Sequence, residues 1–137
     1  MATHSPIKKE SEMNGNNKWL VDTNILIFLL QGNRKIADLL EGKTIYISFI
    51  TEIELLGVQG MSPAEQKIVR EVITDCQKLG FNEIINQATI RIKQKRKVKI
   101  PDAIIAATAI ENNLPLLTAD TAFSSIPELN CILLELE

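Results

Sequence analysis

Short apolar, β-branched runs alternate with helix-start signals along most of this chain, and that alternation constrains the fold more than any other feature. Residues 19–21 (WLV) are a short apolar run ending at Asp22 and read as a buried strand. Residues 24–31 (NILIFLLQ) are apolar nearly all round, which predicts a buried helix. Gly32-Asn33 breaks it, and residues 34–41 give a second short helix. Residues 44–48 (TIYIS) alternate and are β-branched, hence a second strand. Thr51-Glu52-Ile53-Glu54 matches a capping box and predicts a helix over 51–58. Ser62-Pro63-Ala64-Glu65 is another, with Pro at the favoured first helical position, opening a long helix to about Leu79 that Gly80 stops. Residues 81–85 read as a third strand, and Asn86 as the cap of a basic helix to about Lys97. Pro101-Asp102 opens a helix over 103–112, residues 115–118 (PLLT) are a fourth strand, and 131–134 a fifth.

Strands alternating with helices pair in parallel through right-handed crossovers. The predicted class is α/β: three layers, α/β/α, around a small central parallel sheet. A length of 137 residues fits one domain, expected over 18–137. Residues 1–17 are polar and aperiodic and read as a flexible tail without a signal-peptide core. No apolar run approaches the roughly 18 residues of a membrane span, so a cytoplasmic, membrane-free protein is expected.

Composition limits the chemistry. The only histidine is His4, in that polar stretch, so Ser-His-Asp and Cys-His catalysis lack their usual base, and a His-containing zinc site is equally disfavoured. Cys76 and Cys131 are too few for a Cys₄ site and form no CxxC; both read as small buried hydrophobes. Aromatics are 4%, which argues against modules that stack single strands on rows of rings. Any chemistry must then come from carboxylates, with a hard metal ion.

Four carboxylates converge on one sheet edge in this topology. Sites in such sheets form beyond the carboxyl ends of the strands, and helices packed on a parallel sheet start at that same edge. Asp22 ends the first strand, Asp120 follows the fourth, Glu54 falls in the first turn after the second, and Asp102 opens the helix leading to the fourth. At about 100° per residue, Glu54 lies beside Ile50, Ile53 and Gly57, while Glu52 falls roughly 160° away. Glu54 is thus expected on an inward face, with Gly57 leaving room beside it. Asp102 heads a stripe of Ile105, Ala106 and Ala109. Acids held together this way repel unless a cation neutralises them, and Mg²⁺ or Mn²⁺ takes such oxygen ligands. Each acid also has a structural reading: Asp22 and Asp102 as N-caps, Glu54 as the capping-box partner, Asp120 as a turn residue. Four independent caps would not all be expected at one edge.

The segments LVDTN (20–24), ISFITEIEL (47–55), PDAIIAATA (101–109) and LTADTAF (117–123) together resemble PIN-domain ribonucleases of the VapC toxin type, over about residues 18–134. The resemblance implies metal-dependent hydrolysis of RNA phosphodiesters with Mg²⁺ or Mn²⁺. Its acidic set maps onto Asp22, Glu54, Asp102 and Asp120, with Asn24 and Thr118 in supporting positions. Asp22 and Asp102 are expected as the most direct metal ligands and Asp120 as direct or through water, while Glu54 completes the pocket and orients the attacking water. The resemblance also implies a homodimer and a VapB-type antitoxin that blocks the site and carries the contact with operator DNA. Related chains usually begin near the first strand, without such a leader.

Residues 91–99 (RIKQKRKVK) hold six basic residues, and the remaining 9 Lys+Arg face 17 Asp+Glu. Lys93, Lys95, Arg96, Lys97 and Lys99 are therefore candidates for contact with RNA phosphates, against the plainer reading of a solvated helix face. Ile68, Val69, Val72 and Ile73 are expected mostly in the core, with some left for a dimer or antitoxin surface. The main alternative function is a catalytically inactive PIN-like metal- or RNA-binding module. A haloacid-dehalogenase-type phosphatase would need an acid where Asn24 stands, and a receiver domain would need paired acids at the first strand.

Overall fold

Successive residues of the first strand, β1 (Lys18–Val21), point to opposite faces of the sheet, and this divides the core in two. In the computed structural model, which describes residues 17–135, Leu20 packs on one side with Ala88, Ile92, Ala106 and Phe123, while Trp19 and Val21 pack on the other with Ile25, Leu26, Leu55 and Ile73. The sheet also contains β2 (Thr44–Ser48), β3 (Gln77–Leu79), β4 (Leu116–Thr118) and β5 (Cys131–Leu133). Their order is β3-β2-β1-β4-β5, and every pairing is parallel. The helices are α1 (Thr23–Leu30), α2 (Arg34–Leu40), α3 (Phe49–Leu56), α4 (Pro63–Thr74), α5 (Glu83–Lys95) and α6 (Ile100–Glu111). Helices α1–α4 cover one face and α5–α6 the other. The expected three-layer α/β architecture is present. Among the described residues no helix is long and apolar enough to cross a membrane. The tail reading of 1–17 falls outside the described residues except at Asn17, whose carbonyl accepts the Thr44 N–H at 2.7 Å.

Several local expectations are corrected. The helix opened by Ser62 does carry its capping box, with bonds of 3.1 and 2.9 Å between Ser62 and Glu65, but it ends at Thr74 rather than Leu79. Residues 77–79 instead pair with Tyr46, Ile47 and Ser48. The open edge of β2 offers unpaired N–H and C=O groups, and an edge strand tolerates the exposed Gln77 and Lys78. Residues 81–85 are accordingly not a strand. Asn82, not Asn86, caps α5, its side chain accepting the Ile85 N–H at 2.9 Å.

The predicted box at Thr51 does not form either. Helix α3 starts at Phe49, where the Ser48 side chain accepts the Ile50 N–H at 3.1 Å, so Thr51 is already inside the helix and fully buried. The inward face of α3 is Thr51 and Leu55, and Ile53 is 60% exposed. Gly57 closes this helix rather than making room for Glu54: a Cβ there would meet the Ile53 carbonyl oxygen at 2.6 Å. Helix α1 is buried only at Thr23, Ile25 and Leu26; Ile27 to Leu30 are half-buried, and Ile27 and Leu30 border a groove. Cys76 and Cys131 are half-buried, and burial pushes the Cys76 thiol up to about 11 and raises that of Cys131.

Candidate active site

Asp22 lies where β1 ends and α1 begins, and its carboxylate is almost fully buried. Its Oδ1 accepts the Thr23 N–H at 2.8 Å, which makes it the N-cap of α1, as the structural reading supposed. Its Oδ2 accepts the Thr118 hydroxyl at 2.8 Å, across to the neighbouring strand β4. Thr118 Oγ1 in turn accepts the Asp120 N–H at 3.0 Å, so one buried hydroxyl sets the positions of two acids. Asp120 caps the 3₁₀ turn Thr121–Ser125 through Ala122 N–H at 2.9 Å.

Asp102 stands in the first turn of α6 but does not cap it; Lys99 is the N-cap, without a side-chain bond. Behind Asp102, Ile105, Ala106 and Ala109 are buried as expected. Glu54 is solvent-exposed rather than on an inward face. It reaches the site because Thr23 Oγ1 donates to its Oε1 at 2.6 Å. A hydroxyl has one hydrogen. Thr23 gives that hydrogen to Glu54, so Thr51, 2.9 Å away, must donate to Thr23. From sequence Thr51 reads only as a helix cap, and neither it nor Thr23 reads as part of the site. Their signal is a buried polar side chain inside an apolar helix face, and only the fold reveals it.

Asp22, Glu54, Asp102 and Asp120 together line one cavity of about 330 Å³, with Thr23, Asn24 and Ile27. Thr118 sits behind it. Burial, outweighing the Thr118 and Thr23 hydrogen bonds and aided by Asp102 and Asp120, pushes the Asp22 carboxyl up to about 6. Burial also raises Asp102, with Asp120 and Glu54 adding repulsion and Lys99 opposing it. An all-carboxylate donor set, with Asp22 and Asp102 both raised, fits a hard divalent cation. Among the described residues no three His, Cys, Asp or Glu side chains form a ready-made metal cluster. All four acids line the cavity, and an ion such as Mg²⁺ keeps several waters and needs only one or two direct carboxylates.

The basic residues of 91–99 do not share one surrounding. Lys99 faces Asp102, whereas Lys93 is turned back, its Nζ donating to the Val98 carbonyl at 2.6 Å. Lys97 is exposed, and Lys95 and Arg96 line a separate cavity beside α5. Of the four apolar residues expected mostly in the core, Val69 and Ile73 are buried, Val72 is half-buried and Ile68 is 54% exposed.

The sequence model of the family described as PIN domain matches residues 19–129. The fold matches a solved toxin–antitoxin complex from Klebsiella pneumoniae at TM-score 0.72 and 32% identity, over 81% of this chain and 94% of that one. VapBC-1 from nontypeable Haemophilus influenzae matches at TM-score 0.68 and 27% identity, over 85% and 97% of the two chains. DNA-bound VapBC from Salmonella typhimurium shares the fold at TM-score 0.70 and 24% identity, over 84% and 96%. No curated protein matches the sequence.

Proposed function

Because this chain belongs to the PIN-domain family, whose members are generally nucleases, we propose that it is a metal-dependent endoribonuclease, the toxin of a VapBC-type toxin–antitoxin pair. The observation that carries this reading is the convergence of Asp22, Glu54, Asp102 and Asp120, from four separate segments, on one cavity. Asp22 and Asp102 would hold the ion, with Asp120 direct or through water. Bound Mg²⁺ or Mn²⁺ supplies Lewis acidity, withdrawing charge from the phosphate and making water more acidic. Thr118 holds Asp22 as an acceptor and so keeps its carboxylate aimed at the cavity. Glu54, with Oε1 fixed by Thr23, has Oε2 free to orient the attacking water and take its proton. Asn24 lines the same cavity and supports the acids. Lys99, beside Asp102, draws the RNA phosphate toward the acids, and exposed Lys97 adds to the long-range attraction.

The partners follow from two apolar surfaces. Ile27, Leu30, Leu55, Val58 and Ile68 line an open groove of about 510 Å³ that also contains Glu54. A VapB-type antitoxin segment lying there would reach the acids and block them, with operator DNA contacted through the antitoxin. Phe81, Ile90 and Ile100 are exposed on a second apolar surface and are assigned to a homodimer. The assigned location is cytoplasmic. A second reading keeps the fold and the acids but drops the cleavage: an inactive RNA- or metal-binding module. Digestion of single-stranded RNA with Mn²⁺, with and without EDTA, separates the two. Cleavage that EDTA stops supports the nuclease, and no cleavage with Mn²⁺ supports the inactive module.

A further inference from the structure

Asn24 lines the acid cavity and is exposed, and its side chain makes no hydrogen bond to any described residue. Whatever support it lends the acids leaves its amide free. The other lining side chains have a different chemistry. The four acids, once ionised, only accept hydrogen bonds, and Ile27 makes none. Thr23 gives its one hydrogen to Glu54 and accepts from Thr51, so it has no donor to spare. Thr118, behind the cavity, gives its own hydrogen to Asp22. Among the described residues that line the cavity, Asn24 alone has a side chain with a free donor, and its amide offers an acceptor as well. Its place matters too. Asn24 is in the first turn of α1, two residues past Asp22, so their Cα atoms lie within about 7 Å. A phosphodiester held at Asp22 brings its own ribose within reach of that amide.

We propose that Asn24 is a specificity residue: it reads the ribose 2′-hydroxyl beside the phosphate to be cut, and so selects RNA over DNA. This rests on the RNA reading above and makes it more specific. A 2′-hydroxyl both donates and accepts, and it neighbours the 3′-phosphate on the same sugar. A primary amide matches it, giving one hydrogen bond and taking another. The acids can only take a hydrogen bond from that hydroxyl, and they leave its oxygen without a donor. Phosphate contacts are the same for either nucleic acid, so discrimination has to come from a group placed beside the sugar. Asn24 is neutral, so it adds no repulsion to a pocket that already holds four acids.

The test is binding of a labelled short single-stranded RNA by the full chain, with one 2′-deoxy sugar walked along the strand. Ca²⁺ replaces Mn²⁺, and a gel confirms that the strand stays intact. Cleavage of the same strands in Mn²⁺ is the second readout. In the wild type, one deoxy position is expected to weaken binding about fivefold to tenfold, the loss of one hydrogen-bonded contact, and the others less than about twofold. Asn24→Leu, an exposed change of similar size, is expected to bind the all-RNA strand about fivefold to tenfold more weakly. It should lose nothing further at that deoxy position, because the two changes remove the same contact. Its binding of the all-DNA strand should match that of the wild type. Equal losses on RNA and DNA from Asn24→Leu, or a wild type indifferent to every single deoxy sugar, overturn the inference. If wild type cleaves RNA and Asn24→Leu binds and cleaves it normally, the inference fails and the nuclease stands. If the sensitive position appears and depends on Asn24 while Mn²⁺ gives no cleavage, the inference stands and the nuclease fails. A wild type that binds no RNA overturns both.

Discussion

Thr118 donates its hydroxyl to Asp22 at 2.8 Å, joining two residues that are 96 positions apart in sequence and adjacent only because β1 pairs with β4. The same oxygen accepts the Asp120 N–H, so the β1–β4 register fixes the spacing of two of the four acids. Thr118→Val keeps the shape and removes both bonds. We expect metal affinity to fall about tenfold to a hundredfold, the usual effect of losing a hydrogen bond that orients a metal ligand. Stability should fall by about 1–2 kcal/mol. Calorimetric titration with Mn²⁺ and denaturant unfolding measure the two effects separately. Unchanged affinity would mean that Thr118 does not position Asp22.

Thr23 and Thr51 form the relay that draws an exposed Glu54 toward the cavity. Thr23→Val leaves Glu54 unrestrained and orphans the Thr51 hydroxyl, at a cost of about 1–2 kcal/mol. Thr51→Val leaves the Thr23–Glu54 bond in place and should cost less. If Glu54 orients the attacking water, Thr23→Val should lower kcat about tenfold and change KM little, with Thr51→Val milder on kcat. Equal kcat in both variants would remove Thr23 from the account.

Metal-free stability should depend on pH with a sign opposite to that of an ordinary surface acid. Asp22 is pushed up to about 6, and Asp102 is also raised, so the folded state binds protons more tightly than the unfolded chain. The Asp22 contribution is present at low pH and is lost as pH rises through about 6, a change on the order of 2–3 kcal/mol between about pH 4 and 7, and Asp102 acts in the same direction. Saturating Mn²⁺ should reverse the slope, because deprotonation exposes ligands and binding stabilises the folded state. Asp102→Asn should raise metal-free stability near pH 7, since it removes a carboxylate whose ionisation burial and its acidic neighbours oppose, and abolish the Mn²⁺ effect. Thermal unfolding across pH with and without Mn²⁺ reads all three. Parallel slopes in the two conditions would contradict the acid site as a metal site.

The exposed apolar surface on α5 and α6 gives a prediction about assembly. Ile90 is 41% exposed beside Phe81 and Ile100. Ile90→Glu should leave the monomer folded and convert a dimer to monomer in light scattering, since a charge at the centre of an apolar interface commonly costs several kcal/mol. A dimer that persists unchanged would place the interface elsewhere.

Much of this was legible in the chain. Period and breakers located the strands at Trp19, Tyr46 and Leu117 and the stripe behind Asp102, and strand order then brings the four acids to one edge. Three things were not legible. Gln77-Lys78-Leu79 carries no strand pattern of its own and becomes a strand because β2 has a free edge. Ser48 outcompetes Thr51 as a cap because Thr51 is wanted inside, against Thr23. The wheel therefore misjudged which face of α3 looks inward. Glu54 reaches the site by a side-chain bond rather than by helix phase. The six basic residues of 91–99 read as one strip, but Arg91, Lys93 and Lys95 lie on helix α5 while Arg96, Lys97 and Lys99 follow its end, and they meet different surroundings.

The most direct test is the rate of RNA cleavage as a function of Mn²⁺ concentration, for wild type and Asp22→Asn side by side. The account predicts saturable activation of the wild type and a loss on the order of a thousandfold in the variant, undiminished by added Mn²⁺. Cleavage by Asp22→Asn at the wild-type rate, or wild-type cleavage that persists in EDTA, would contradict it.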